Sequence, residues 1–210
     1  MFIPRHPVVE NQFCKYAAQT DTGAAGIGGV IAYAGSVLYL DPTATNEEAV
    51  VKKMAHGVTE APFGFAMQKV KTGYHQVHPV GYMMPGDSGS SDVIAQPLYD
   101  ATGNVVGTKE APLGVAHYGI WDTVHYTCLQ STTVGTVDDG DHMKPGMSLY
   151  PAADEAKLTN STVNSDGTDD NGERCSSTVV ARVVEGASAA KCTANIKNTT
   201  LYPIRVKLVI

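Results

Sequence analysis

Long hydrophobic runs are missing from this chain. No stretch of about 18 apolar residues occurs, so no membrane-spanning helix is expected. Charge is scarce too, at 17% of residues, and no basic cluster offers phosphates a surface. With a net charge of −6, nucleic-acid binding is not expected. Cysteine is limited to Cys14, Cys128, Cys175 and Cys192, with no Cys-x-x-Cys pair to suggest a zinc ribbon or a redox site. Free thiols serving as small apolar fillers are expected, ahead of a Cys175–Cys192 bridge across a hairpin. The start, Met1 to Pro7, lacks the apolar core of a signal peptide. The expected setting is a cytoplasm, or a larger assembly built there.

What the chain does have is glycine, 21 residues of it, and many short apolar runs punctuated by turn residues. That balance predicts a mainly β protein built from short antiparallel strands, as a barrel or a sandwich. A length of 210 residues allows one large β-domain or two small ones. Residues 1–25 read as an extended N-terminal arm, with Pro4 and Pro7 keeping it straight. Such a segment buries little by itself and is expected to lie loose or on a neighbour. Residues 26–210 form the β-rich body.

An internal echo organises that body. Ala61-Pro62-Phe63-Gly64-Phe65-Ala66 returns as Ala111-Pro112-Leu113-Gly114-Val115-Ala116, and each copy runs on to a Val-His pair, Val77-His78 and Val124-His125. The two copies suggest a duplication spanning 61–82 and 111–134. A second echo links Gly35-Ser36-Val37-Leu38-Tyr39-Leu40 to Gly146-Met147-Ser148-Leu149-Tyr150. Ala49 to Ala55 resembles the β-branched run Thr178 to Val184, so it reads as strand although Asn46 and Gly57 would suit the ends of a helix. A hairpin is expected over 93–106, a long polar loop over 153–173, and a closing strand over 201–210. No strong helix is predicted.

Gly86-Asp87-Ser88-Gly89-Ser90 resembles the nucleophile loop of chymotrypsin-like serine proteases. That chemistry needs a His to accept the serine proton and a buried Asp to orient it. Only 87 residues precede Ser88, and His56, His75 and His78 all lie outside the context that family requires. Between His56 and Ser88 the only Asp is Asp87, which adjoins the serine. A tight loop, with Gly supplying positive φ, is the favoured reading, and no catalytic residue is assigned. His75 and His78 are expected to point to opposite faces of a strand and so not to share a metal. The acidic run 166–173 does not match a calcium-loop spacing. No cofactor or metal is expected. Trp121 and the ten tyrosines are candidates for a sugar-binding face, though core and interface roles are commoner.

Taken together, the layout resembles tailed-phage capsid decoration (cement) proteins. The likeness covers residues 25–210. It rests on the Gly35–Leu40 strand, the starts Phe63-Gly64-Phe65-Ala66 and Leu113-Gly114-Val115-Ala116, the Lys144-Pro145-Gly146-Met147-Ser148-Leu149-Tyr150 element and the final Val-x-Val strand. The resemblance implies a small β-barrel or β-tulip, often a homotrimer, seated on the outer capsid where subunits of the major capsid protein meet. It carries no catalytic motif. The expected role is therefore structural and not enzymatic: a virion protein that clamps neighbouring shell subunits from outside. The arm residues Phe2, Ile3, Pro4, Arg5, Pro7, Val8, Phe13 and Tyr16 are the expected interface. Rival readings are another virion structural subunit, a carbohydrate-binding β-domain, or a serine peptidase acting through Ser88.

Overall fold

The computed structural model describes residues 2–17, 30–44, 49–71, 88–89, 96–99, 105–109, 113–128, 142–166 and 172–210. The strands in chain order are β1 (Phe2–Tyr16), β2 (Val30–Ala32), β3 (Val37–Leu40), β4 (Val50–Lys53), β5 (Pro62–Ala66), β6 (Val70–Lys71), β7 (Ser88–Gly89) and β8 (Gln96–Tyr99). They continue as β9 (Val105–Lys109), β10 (Leu113–Thr123), β11 (Tyr126–Thr127), β12 (Ser148–Pro151), β13 (Leu158–Thr159), β14 (Ala181–Glu185) and β15 (Ile204–Val209), with one short helix, α1 (Ala189–Ile196), before the last. The protein is mainly β, as its glycine-rich, charge-poor composition predicts.

Ten strands form one sheet in the order β1-β4-β3-β5-β10-β15-β14-β12-β13-β11, and β1 also pairs with β10. That extra pairing closes β1, β4, β3, β5 and β10 into a ring, and the remaining strands curl away from it. β10 holds the two parts together. One edge pairs with β1, and the other with β5 at Val115–Ala116 and then with β15 over Tyr118–Thr123. Gly119, at φ +112° in a region closed to most side chains, lies just past the change of partner, paired with Leu208. β2, β6 and β7 form a small separate sheet, and β8 with β9 the expected hairpin.

Two cores fill this architecture. One packs Phe2, Val37, Phe65, Trp121, Tyr126 and Leu149, among others. The second sits within the ring and includes Cys14, Tyr16, Leu38, Val51, Leu113 and Val115. Neighbouring residues Val37 and Leu38, or Phe65 and Ala66, therefore belong to different cores. A strand buried on both faces reads as a continuous apolar run, which explains why these segments do not alternate cleanly.

The main echo becomes a direct pairing. Ala66 stands opposite Val115 and Phe65 opposite Ala116 in antiparallel register. Phe65 and Val115 hold the same place in the two copies, as do Ala66 and Ala116, so exchanging the copies maps the pair onto itself. The second echo is a shared turn device. Ser36 N–H donates to Tyr33 O at 3.0 Å, Met147 N–H donates to Lys144 O at 3.2 Å, and the third residue of each turn is a positive-φ glycine, Gly35 or Gly146. A type II turn requires this, and each turn launches a strand carrying a fully buried Leu, Leu38 or Leu149.

Three expectations are corrected. The N-terminal segment is extended, but from Phe2 to Tyr16 it is a strand of its own chain's sheet, antiparallel to β10. Its boundary with the body therefore vanishes, since Phe2 is part of the main core. Its register shifts between Pro4 and His6 and between His6 and Val9, where Pro4 and Pro7 lack the N–H a regular ladder needs. The polar stretch 153–173 contains β13 and a tight turn. Finally, α1 exists. It buries Ala189, Cys192 and Asn195 at a spacing of three, and ends with Asn198 N–H donating to Asn195 O and Thr199 N–H to Ala194 O, both at 3.1 Å. That is a Schellman cap with Asn198 in the left-handed position, at φ +52°.

The four cysteines are free, and Cys14, Cys128 and Cys192 are buried, as apolar fillers should be. Among the described residues no helix is long and apolar enough to cross a membrane, and no group of three or more His, Cys, Asp or Glu is placed to hold a metal ion.

Candidate functional site

The expected interface residues separate into two groups. Phe2 and Tyr16 are buried within their own chain. Phe2 stacks on Trp121, and Tyr16 Oη accepts the Lys53 N–H at 3.1 Å. Both therefore have internal roles. Ile3 is half-buried and Arg5 exposed, so these two remain accessible. Pro4, Pro7, Val8 and Phe13 lie in the backbone of β1, and their side chains fall outside the described residues.

Arg5 leads to a surface on the outer side of β10, β15 and β14. Arg5 Nε donates to Asp122 at 2.6 Å, and Arg205 Nε donates to the other carboxylate oxygen at 2.9 Å. Burial alone would raise the Asp122 carboxyl; the hydrogen bonds from Arg205 and Arg5 outweigh it and hold the group below the usual carboxylate range. The same face carries Tyr118 opposite Val209, with exposures of 47% and 41%, and Lys207 Nζ lies 5.7 Å from the Tyr118 ring centre. Arg182 stands directly opposite Lys207. Like charges in that position weaken a sheet. Arg205 also pairs with Glu185 at 3.3 Å, so Arg5, Arg182, Arg205 and Lys207 stand against Asp122 and Glu185, an excess of cations beside bare apolar surface in a chain of net charge −6.

A cleft of about 410 Å³ lies elsewhere in the fold, walled by the turn at Tyr33, the segment Val124–Thr127, the turn Asp154–Lys157 and the end of α1. Sequence reasoning missed it, because its four walls come from distant segments without a shared motif. Behind the wall, Ser36 Oγ is 3.0 Å from His125 Nε2. Such a pair suggests a nucleophile and its base. The surrounding bonds give it another role. His125 Nε2 is also 3.1 Å from the carbonyl of Glu155, and the Ser36 hydroxyl donates to that carbonyl at 3.1 Å while its oxygen accepts the Tyr33 N–H. A carbonyl only accepts, so Nε2 carries the proton and shares it between Glu155 O and Ser36 Oγ. A base would need its lone pair there. Burial pushes the His125 imidazole down to about 4, against the raising effect of the Glu155 carbonyl, so the ring is neutral. Ser36 and His125 fasten the Glu155 backbone.

That backbone is unusual. Lys157 N–H donates to Asp154 O at 3.1 Å, and the two central residues, Glu155 and Ala156, have φ of +50° and +54°. Turns of this kind favour Asn and Gly. Lys157 Nζ pairs with Asp154 at 2.7 Å and Glu155 at 3.3 Å across the same turn.

Of the other sequence candidates, Ser88 and Gly89 form β7, parallel to β6. His75, His78 and Asp87 lie outside the described residues, as does most of the acidic run 166–173, and His56 is exposed on a turn. Trp121 is fully buried, which removes it as a sugar-binding surface.

No family model matches the chain, and neither does any curated protein sequence.

Proposed function

We propose that this protein is a structural component of a virion, a decoration protein that seats the outer face of β10, β15 and β14 on an assembled capsid. The observation that carries this reading is Arg182 opposite Lys207, beside the exposed Tyr118–Val209 pair. The fold gains nothing from two facing cations, whereas an acidic patch on a shell subunit would neutralise both. Tyr118 and Val209 supply the apolar anchor such a contact needs. Binding only the assembled shell would stabilise it by mass action, and a homotrimer would multiply modest contacts. The Ser36–His125 pair, held as a structural fastening, fits a scaffold role better than a catalytic one.

The test is charge reversal on the face. Arg182→Glu with Lys207→Glu should leave the far-UV spectrum and melting temperature near those of the parent while lowering occupancy on capsids at least about tenfold. Unchanged occupancy would reject this face as the seat. Removing residues 1–16 is the poorer test, because it would uncover Trp121 and damage the fold itself.

A further inference from the structure

The cleft beside His125 has features that the scaffold role does not use. Its volume of about 410 Å³ suits a small ligand, since such sites run from about 300 to 1,000 Å³. One buried polar atom in its wall has no partner. The Asn195 side chain, 5% exposed, spends both amide hydrogens on the carbonyls of Val124 and Tyr126 at 3.1 Å, and its Oδ1 is left without a donor. An orphaned buried acceptor is costly, by about 1–3 kcal/mol, unless something arrives to satisfy it. A second observation is independent of the first. Among the described residues, the non-glycine positive-φ positions are Glu155, Ala156 and Asn198, and both Glu155 and Asn198 line this cleft. The helix cap accounts for Asn198. The Glu155–Ala156 turn is held in place by hydrogen bonds from Ser36 and His125, and strain retained in this way is characteristic of ligand clamps.

The chemistry of the walls narrows the ligand. Lys157 is already paired with both Asp154 and Glu155, and Lys69 lines the same cleft, so two ammonium groups stand against two carboxylates. A strongly ionic ligand would have to break those pairs. Tyr33, 39% exposed, leans on the His125 ring at 5.4 Å and presents an aromatic face at the rim, with Leu201 exposed nearby. The remaining demand is for a group that donates to Asn195 Oδ1, accepts from side-chain amides and ammonium groups, and lays C–H surface on an aromatic ring.

We propose that this cleft is a binding site for a neutral polyhydroxylated ligand, a saccharide, with a ligand hydroxyl donating to Asn195 and a sugar face resting on Tyr33. A sugar hydroxyl both donates and accepts, which matches a mixed, charge-balanced wall. The site is independent of the capsid-binding face, so the two readings stand or fall separately.

The experiment is an amide-resolved NMR titration of the full chain with maltose, cellobiose, lactose and chitobiose, with inorganic phosphate and spermidine as charged controls. The expected result is saturable shifts confined to the cleft, at Tyr33, Asn195 and Asn198, with at least one disaccharide and neither control. Tyr33→Ala should weaken that binding at least about tenfold. Asn198→Gly keeps the left-handed backbone of the helix cap, so its weakening of binding would report the lost amide and not misfolding. Saturation by none of the four sugars, cleft binding by either control, shifts elsewhere on the protein, or undiminished affinity in both variants would each overturn the assignment.

Discussion

The ring of Phe2 lies on that of Trp121, centroid to centroid 4.4 Å apart and 9° from parallel. The second residue of the chain is thus stacked on the largest buried side chain of its longest-paired partner strand. Offset or parallel aromatic pairs add to the burial of each ring. Phe2→Ala should therefore destabilise the protein by about 3 kcal/mol, and Trp121 fluorescence should shift to the red in the native state. A denaturant midpoint equal to that of the parent would mean that the N-terminal strand does not hold this place.

Asp122 ties the same strand to the sheet through Arg5 and Arg205. Its folded carboxyl titrates below its ordinary value of 3.8. Stability from this group is whole above that value and is lost as pH falls through the lower, folded one, because the unfolded chain takes up the proton first. Asp122→Asn should cost about 1–2 kcal/mol at neutral pH, the partial exposure of Arg5 and Arg205 keeping the figure modest. It should also flatten the most acidic limb of the stability curve. An unaltered acid limb in urea titrations would contradict the pairing.

His125 acts in a different window. The unfolded imidazole binds a proton near 6.5, whereas the buried ring stays neutral down to about 4. The unfolded state holds more protons between those values, so stability is complete above the upper one and declines as pH falls toward the lower. The loss should be on the order of 3 kcal/mol. His125→Gln, which keeps a donor near Glu155 O but does not titrate, should be less stable at neutral pH and show almost no slope across this window. A slope matching the parent's would place the titrating group elsewhere.

The paired echo is tested by two glycines in equivalent positions. A Cβ on Gly64 would overlap Val115 Cγ1, whereas one on Gly114 would meet the flexible Met67 Sδ at 3.2 Å. Gly64→Ala should cost about 1–3 kcal/mol and Gly114→Ala clearly less. Adding Val115→Ala to Gly64→Ala should recover part of the loss, measured as a coupling in a double-mutant cycle. Equal costs for the two glycines, with no coupling, would rule out this register.

The strands that sequence reasoning found were those whose signals are local. Gly35 and Gly146 mark turns because only a positive φ fits there, and the two Ala-Pro copies mark strand starts that turn out to face each other. The misread parts depend on distant partners. Pro4 and Pro7 argue against a regular strand, and only the long edge of β10, more than a hundred residues away, turns that segment into one. The eight residues of α1 carry too weak a periodicity to stand out, and its face includes Asn195, a polar residue buried to hold two carbonyls. The Ser36–His125 pair could not be anticipated either. Ser36 read as part of the Gly35–Leu40 strand and His125 as an echo of His78, and neither hints at the Glu155 carbonyl between them.

The most direct measurement is the composition of purified particles. Quantitative mass spectrometry, with cryo-electron microscopy of the same sample, should find this chain on the outer shell in a fixed ratio to the shell protein, its Tyr118–Val209 face turned inward. Particles that lack the chain, or carry it with that face turned to solvent, would contradict the account.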